Sequence, residues 1–155
     1  MERISGTLNA AGRRYAIVLS RFNEFLTESL LKGAVQELVR LGAKDEDLCV
    51  YEVPGVFEMT AAARRLSKRA DVDVIICVGA VIRGGTPHFD YVASAVTRGL
   101  ANLADEADKP IGFGVLTTDT VQQAIERAGV KMGNKGAEAA RAAVELASLF
   151  ERLDG

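Results

Sequence analysis

Four apolar runs of strand length set the limits on what this chain can fold into: "YAIVLS" at 15–20, "LCVYEV" at 48–53, "VDVIICVGAVI" at 72–82 and "IGFGVL" at 111–116. Each is nearly continuous in apolar character and most are rich in Val and Ile. That pattern marks strands covered on both faces, as in a parallel sheet, where one-sided strands would alternate. The segments between them supply the cover. Leu26, Leu30, Ala34, Leu38 and Leu41 recur at helical spacing, with Gly42 as the stop signal. Residues 60–69 form a short alanine-rich amphipathic stretch, and Phe89, Val92, Val96, Leu100 and Leu103 form another apolar stripe. A shorter helix is expected to begin at Asp119, with Gln122 placed for a capping box, and to stop before Gly129. A last helix is expected over about 136–153, turning Ala140, Val144, Ala147 and Phe150 inward. Such alternation with short loops predicts right-handed crossovers and an α/β fold: a three-layer α/β/α sandwich around a four-stranded parallel sheet, one domain over residues 1–155. Residues 4–8 are a candidate extra strand, in this subunit's own sheet or added to a neighbouring subunit's. The first is favoured, because an early segment usually stays with its own domain.

Composition narrows the function classes. A chain of 155 residues with 48% hydrophobic and 26% charged residues can bury a real core and is not disordered. A net charge of −2 gives no broad electrostatic reason to bind nucleic acid or an anionic membrane. No apolar run approaches the roughly 20 residues of a membrane span. The start, "MERISGTLNAAGRRYAIV", lacks the order of a signal peptide, so a cytosolic protein is expected. Cys49 and Cys77 sit in apolar strand segments and are expected to be buried, reduced thiols. One histidine and no CxxC argue against a zinc site.

Ligands in open α/β sheets bind outside the carboxyl ends of the strands. Here those ends read "RFNEF", "PGVFE", "RGGTPHFD" and "TTDT". At the third end Thr86 suits an N-cap and Pro87 the first helical position. Gly84 and Gly85 would let backbone approach a ligand, and a helix N-terminus offers an anion site beside His88, the only histidine. The same residues could equally be a turn with a surface histidine. Phe22, between Arg21 and Asn23, could stack on a flat heteroaromatic ring, although a lone loop Phe more often packs in a core. Glu58 could accept from sugar hydroxyls or simply complement a helix dipole. Arg127 could clamp phosphate or offset a helix C-terminus. Phe113 reads as core, and Lys131 and Lys135 as a solvated basic stretch. Spacing alone does not choose between these roles.

Order and spacing taken together point further. "SRFN" at 20–23, "VPGVFEM" at 53–59, "GAVIRGGTPHFDYV" at 79–92, "GVLTTDT" at 114–120 and "QAIERAGVKMGNKGAEAA" at 123–140 closely resemble the lumazine synthase family over nearly the whole chain. The resemblance implies flavodoxin-like topology and the penultimate step of riboflavin biosynthesis. In that step 5-amino-6-ribitylaminouracil condenses with 3,4-dihydroxy-2-butanone 4-phosphate to give 6,7-dimethyl-8-ribityllumazine, phosphate and water. It implies that Phe22, with Asn23 beside it, binds the pyrimidine ring by stacking. Backbone groups of Ala80, Val81 and Ile82 would hold the ring's polar edge. Val56, Phe57 and Glu58 would border the ribityl chain. Gly85, Thr86 and Arg127 would hold phosphate, with Lys135 as an additional site residue, and His88 would move protons. Phe113 would come from an adjacent subunit. No cofactor and no metal is required, because the reaction involves no redox change. Some positions depart from the commonest family pattern: Thr60 stands where proline is frequent, Val56 where Ala, Ser or Thr is, and Gly85 where a small or acidic residue is. The family assembles as pentamers, paired pentamers or shells of twelve pentamers, and the short "AGVKMGNKG" turn resembles the shell-forming type, which implies a 60-subunit assembly. A non-catalytic flavin- or lumazine-binding protein on the same fold is the alternative; it could dispense with His88 and Arg127, and this chain has both.

Overall fold

The computed structural model describes residues 1–129 and 133–155. Among them, β1 (Tyr15–Ser20), β2 (Leu48–Val53), β3 (Val74–Ile82) and β4 (Ile111–Thr118) form one parallel sheet in the order β2-β1-β3-β4. The main helices are α1 (Glu24–Arg40), α2 (Met59–Ser67), α3 (His88–Glu106), α4 (Val121–Arg127) and α5 (Lys135–Asp154). Period-two alternation splits the central strand between two cores. Tyr15, Ile17 and Leu19 of β1 pack with Leu26, Leu30, Ala34 and Leu38 of α1 and with Ala140, Val144 and Ala147 of α5. Ala16 and Val18 face the other way, toward Met59, Ala63 and Leu66 of α2 and Val96, Leu100 and Leu103 of α3. Helices on both faces explain why β1 and β3 carry unbroken apolar runs.

The helix ends follow from local chemistry. After α1, Gly42 takes φ +113°, a left-handed value open to glycine, and Gly42 N and Ala43 N donate to Val39 O and Leu38 O. Those two bonds form a Schellman close. Asn134 caps α5 by accepting from Ala137 N at 3.1 Å, while its Nδ2 donates to Ser29 O on α1 and Ala128 O after α4. The small residues of α5 then bring it onto α1. A Cβ at Gly136 would stand 2.0 Å from Leu30 O.

Four expectations need correction. β2 is an edge strand and only Val53 of it is buried, so its apolar run does not report cover on both faces. For the same reason Cys49 is exposed, whereas Cys77 in central β3 is buried and its thiol is pushed up to about 12 by burial. Residues 4–8 add no strand to this subunit's sheet. They lie along α5, where Thr7 N donates to Ser148 Oγ at 2.9 Å and Ser5 O accepts from Arg152 at 2.8 Å. Finally, α4 runs from Val121 with its cap on Thr120, one residue beyond the Asp119 expected.

Adding a methyl group at the α1–α5 crossing tests the packing. Gly136→Ala should cost about 1–3 kcal/mol, seen as a lower urea midpoint at unchanged slope.

Candidate functional site

The strand order places the site. Chain order runs from β1 outward to β2, then returns to β3 on the other side, so the direction of winding reverses between β1 and β3. Ligands of open α/β sheets bind at the carboxyl ends beside such a reversal. The β1 ladder ends with Leu19 opposite Val78, yet β3 continues to Ile82 paired with β4 alone. Ile75 N and Arg83 N donate to the β4 side, to Pro110 O and Thr118 O. By alternation Ala80 and Ile82 point their backbone groups toward β1, where the ladder has run out. That leaves a short strand edge, unpaired among the described residues, at the floor of the crevice.

Above this edge lies a cleft of about 740 Å³. Phe22 enters from the end of β1. Pro54, Gly55, Val56, Phe57 and Glu58 come from the turn after β2. Ala80, Val81, Ile82, Gly84, Thr86 and His88 come from the end of β3 and the loop beyond, and Phe89, Tyr91 and Val92 from α3. The rim is aromatic and solvent-facing: Phe22 is 68%, Phe57 70% and Tyr91 72% exposed. Rings this open are not packing residues, and they offer flat apolar faces to a ligand. The floor is tight where the rim is loose. A Cβ on Gly79 would lie 2.7 Å from Val56 Cγ1, so glycine is what lets the turn after β2 sit directly on β3.

Most sequence candidates meet here: Phe22, Val56, Phe57, Glu58, Ala80, Val81, Ile82, Thr86 and His88 all line the cleft. Gly85 stands in the same loop between two lining residues. Glu58 is exposed and, although it precedes α2, makes no side-chain cap to that helix. Asn23 does not line the cleft. It takes a left-handed conformation, φ 63°, and its carbonyl accepts from Leu26 N and Thr27 N, so it turns the chain from Phe22 into α1. Thr86 does not cap α3, which begins at His88 with Pro87 in the cap position and no side-chain cap bond.

Three candidates stand apart within the subunit. Phe113 and Lys135 share another groove along the outer side of β4, with Ile111, Glu138 and Leu146. Phe113 is half-buried there, not core. Arg127 is exposed at the last turn of α4. Lys131 lies outside the described residues. Sequence reasoning also missed Tyr91, Val92 and Phe89 as lining residues. The signal was present: positions three and four beyond His88 share its helix face.

The helix bearing Arg127 is set by a complete capping box. Thr120 Oγ1 accepts from Gln123 N at 3.1 Å, while Gln123 Oε1 accepts from Thr120 N at 3.3 Å and from Asp119 N at 2.9 Å. Asp119 does not serve as the cap expected of it; its carboxylate instead accepts from Arg83 Nε at 2.8 Å. The box forms one residue later, on Gln123 and not Gln122.

A sequence model of the 6,7-dimethyl-8-ribityllumazine synthase family matches residues 12–151 of this chain. The 6,7-dimethyl-8-ribityllumazine synthase of Aquifex aeolicus is 52% identical over 153 residues, covering 99% of this chain and 99% of that protein.

Removing the α4 cap tests this local design. Thr120→Ala should destabilise the protein by about 1 kcal/mol, measured as a fall in the urea midpoint.

Proposed function

The chain belongs to the 6,7-dimethyl-8-ribityllumazine synthase family, and from that premise we propose that the cleft between β1 and β3 is its active site. The protein is a transferase of riboflavin biosynthesis. It condenses 5-amino-6-ribitylaminouracil with 3,4-dihydroxy-2-butanone 4-phosphate to 6,7-dimethyl-8-ribityllumazine, with release of phosphate and water. The observation that carries the site assignment is the convergence of Phe22, the turn after β2, the end of β3 and His88 on one cleft.

In this reading Phe22 stacks on the pyrimidine, with Asn23 setting the turn behind it. The open edge at Ala80 and Ile82, with Val81 between them, takes the ring's polar groups. Val56 and Phe57 flank the ribityl chain, and Glu58, free of its own helix, accepts from the chain's hydroxyls. Gly85 and Thr86 receive the phosphate with Arg127, and His88 moves protons. One amine of the pyrimidine adds to the ketone, phosphate leaves by elimination, and the second amine closes the ring on the remaining carbonyl. Each step moves a proton near neutral pH, the work to which imidazole is suited. Much of the acceleration comes from holding two reactants together, where effective molarities reach roughly 10⁵ M or more.

Arg127, Phe113 and Lys135 lie off this cleft within one subunit. We propose that Phe113 closes the cleft of a neighbouring subunit and that Lys135 and Arg127 belong to the completed site in the assembly. The half-buried Phe113 beside the free edge of β4 supports this. Residues 4–8 would add a strand to a neighbouring sheet, and the outer edge of β2, unpaired among the described residues, offers one place for it. The assembly proposed is built of pentamers, with a 60-subunit shell favoured by the sequence "AGVKMGNKG" at 128–136, which resembles the shell-forming type. Among the described residues no helix is long and apolar enough to cross a membrane. We take residues 1–155 as a single catalytic domain working in the cytoplasm.

Mixing the purified protein with both substrates should yield the fluorescent bicyclic product. Binding of the ribityl pyrimidine without any product would instead fit a binding protein. His88→Ala should slow turnover yet leave substantial activity, since positioning survives it; total loss with fold and binding intact would contradict a mainly positional mechanism. Arg127→Ala should raise KM for the phosphate substrate, and an unchanged KM would remove Arg127 from the site. Sedimentation at high concentration should show particles far larger than five subunits, and a plain pentamer would overturn the shell.

A further inference from the structure

Between the exposed rim and the rigid floor, the loop bearing His88 has little to hold it. Nothing lies within 4 Å of where a Cβ would stand on Gly84 or Gly85, so neither glycine is wedged in place. The next helix opens without a side-chain cap. What does grip this region is Arg83, which does not line the cleft. Its Nε donates to Asp119 Oδ1 at 2.8 Å, on the loop that leads into α4. Its Nη1 lies 3.3 Å from Asp90 Oδ1, in the first turn of α3. Its Cζ sits 4.5 Å from the centre of the Phe89 ring, a cation–π distance, and Phe89 immediately follows His88. Its own backbone N–H is fixed on Thr118 O at 2.8 Å. One planar guanidinium thus spans two loops and touches both residues that follow His88.

We propose that Arg83 is a positioning residue: it fixes the first turn of α3, and with it the imidazole of His88, against the loop that launches α4. The inference rests on His88 acting in the cleft, as argued above. The ion pairs are exposed, at 45% for Arg83 and 60% and 67% for its partners, so their individual contribution to stability is small. Their geometry matters more. A rigid fork bonded to Asp119 and Asp90 and stacked on Phe89 keeps all three contacts only when the two loops hold one relative position. Lysine, a single flexible point charge, can keep one partner but not the set.

The test uses the fact that the chain has one histidine. Diethylpyrocarbonate acylates an accessible imidazole, and the rate at which the ultraviolet band of the acylated ring grows on the assembled protein reads His88 alone. In Arg83→Met that rate should change about threefold or more, while kcat falls about tenfold and KM for 5-amino-6-ribitylaminouracil stays within about twofold. Arg83→Lys should fall between the two proteins. Asp119→Asn, which leaves Arg83 in place but removes its cross-loop partner, should shift both readouts the same way and serves if Arg83→Met does not fold. An unchanged acylation rate, or an unchanged kcat, overturns the proposal. So does a loss confined to KM for the pyrimidine, which would mean general damage to the cleft. Full activity in His88→Ala would sink the proton-transfer role and with it the expected fall in kcat, and the acylation rate alone would then decide whether Arg83 sets the position of His88.

Discussion

β1 stops pairing with β3 at Leu19, while β3 runs on along β4 to Ile82. The rest of the site is arranged around that mismatch. The order β2-β1-β3-β4 sends the first two crossovers to opposite faces, α1 with one core and α2 with the other. No helix therefore closes over the gap between β1 and β3 at the carboxyl rim. A strand edge that would ordinarily seek another strand is left open there, deep enough to shelter a ligand and already shaped for polar atoms in a plane. A flat pyrimidine with donors and acceptors along one side is the sort of molecule such an edge can read.

The cleft divides into parts of different stiffness. Its floor is built on buried strand residues, and Gly79 lets Val56 pack on it without an intervening methyl. The rim consists of aromatic side chains that a single subunit leaves unburied, at some cost in exposed apolar area. The loop between β3 and α3 is the least crowded part, where a Cβ on either Gly84 or Gly85 would meet nothing within 4 Å. The role proposed for it is to yield to an anion and to hold an imidazole at a reacting centre.

Much of this was legible in the sequence, and the limits are instructive. The strands, the crossovers and the carboxyl-end clustering follow from the period of the apolar residues, which is a local signal. Cover on both faces is not local: β2 reads like β1 and β3, but it sits at the edge, so Cys49 lies in the open. Helix starts were legible only to within a residue. Asp119 is by residue type as good a cap as Thr120, yet the cap is Thr120 and the Asp119 carboxylate meets a distant Arg83. Tyr91 followed from helical spacing once His88 was placed, whereas Arg83 gave no such sign, since its partners lie 7 and 36 residues away. The separation of Phe113, Lys135 and Arg127 from the cleft is beyond a single sequence's periodicities altogether. Their grouping in the family's motif order carries no information about which subunit supplies them.

That separation bears on why a network of exposed ion pairs should matter at all. Surface pairs of this kind typically add less than about 1 kcal/mol each to stability, and nothing in the fold depends on Arg83 for its core. A mechanism based on bringing two reactants together depends on the angular placement of groups more than on the strength of any bond, and displacement by about 1 Å can cost a hundredfold in rate. Asp119 lies on the segment leading to α4, whose last turn carries Arg127, and Asp90 lies two residues beyond His88. An arginine tied to both sets the proposed proton carrier and the proposed phosphate ligand relative to each other, whichever subunit's cleft each one serves. In the proposed site the glycines leave the loop free to accept the anion, and the guanidinium behind it limits that freedom from outside the cleft, where it cannot obstruct a substrate.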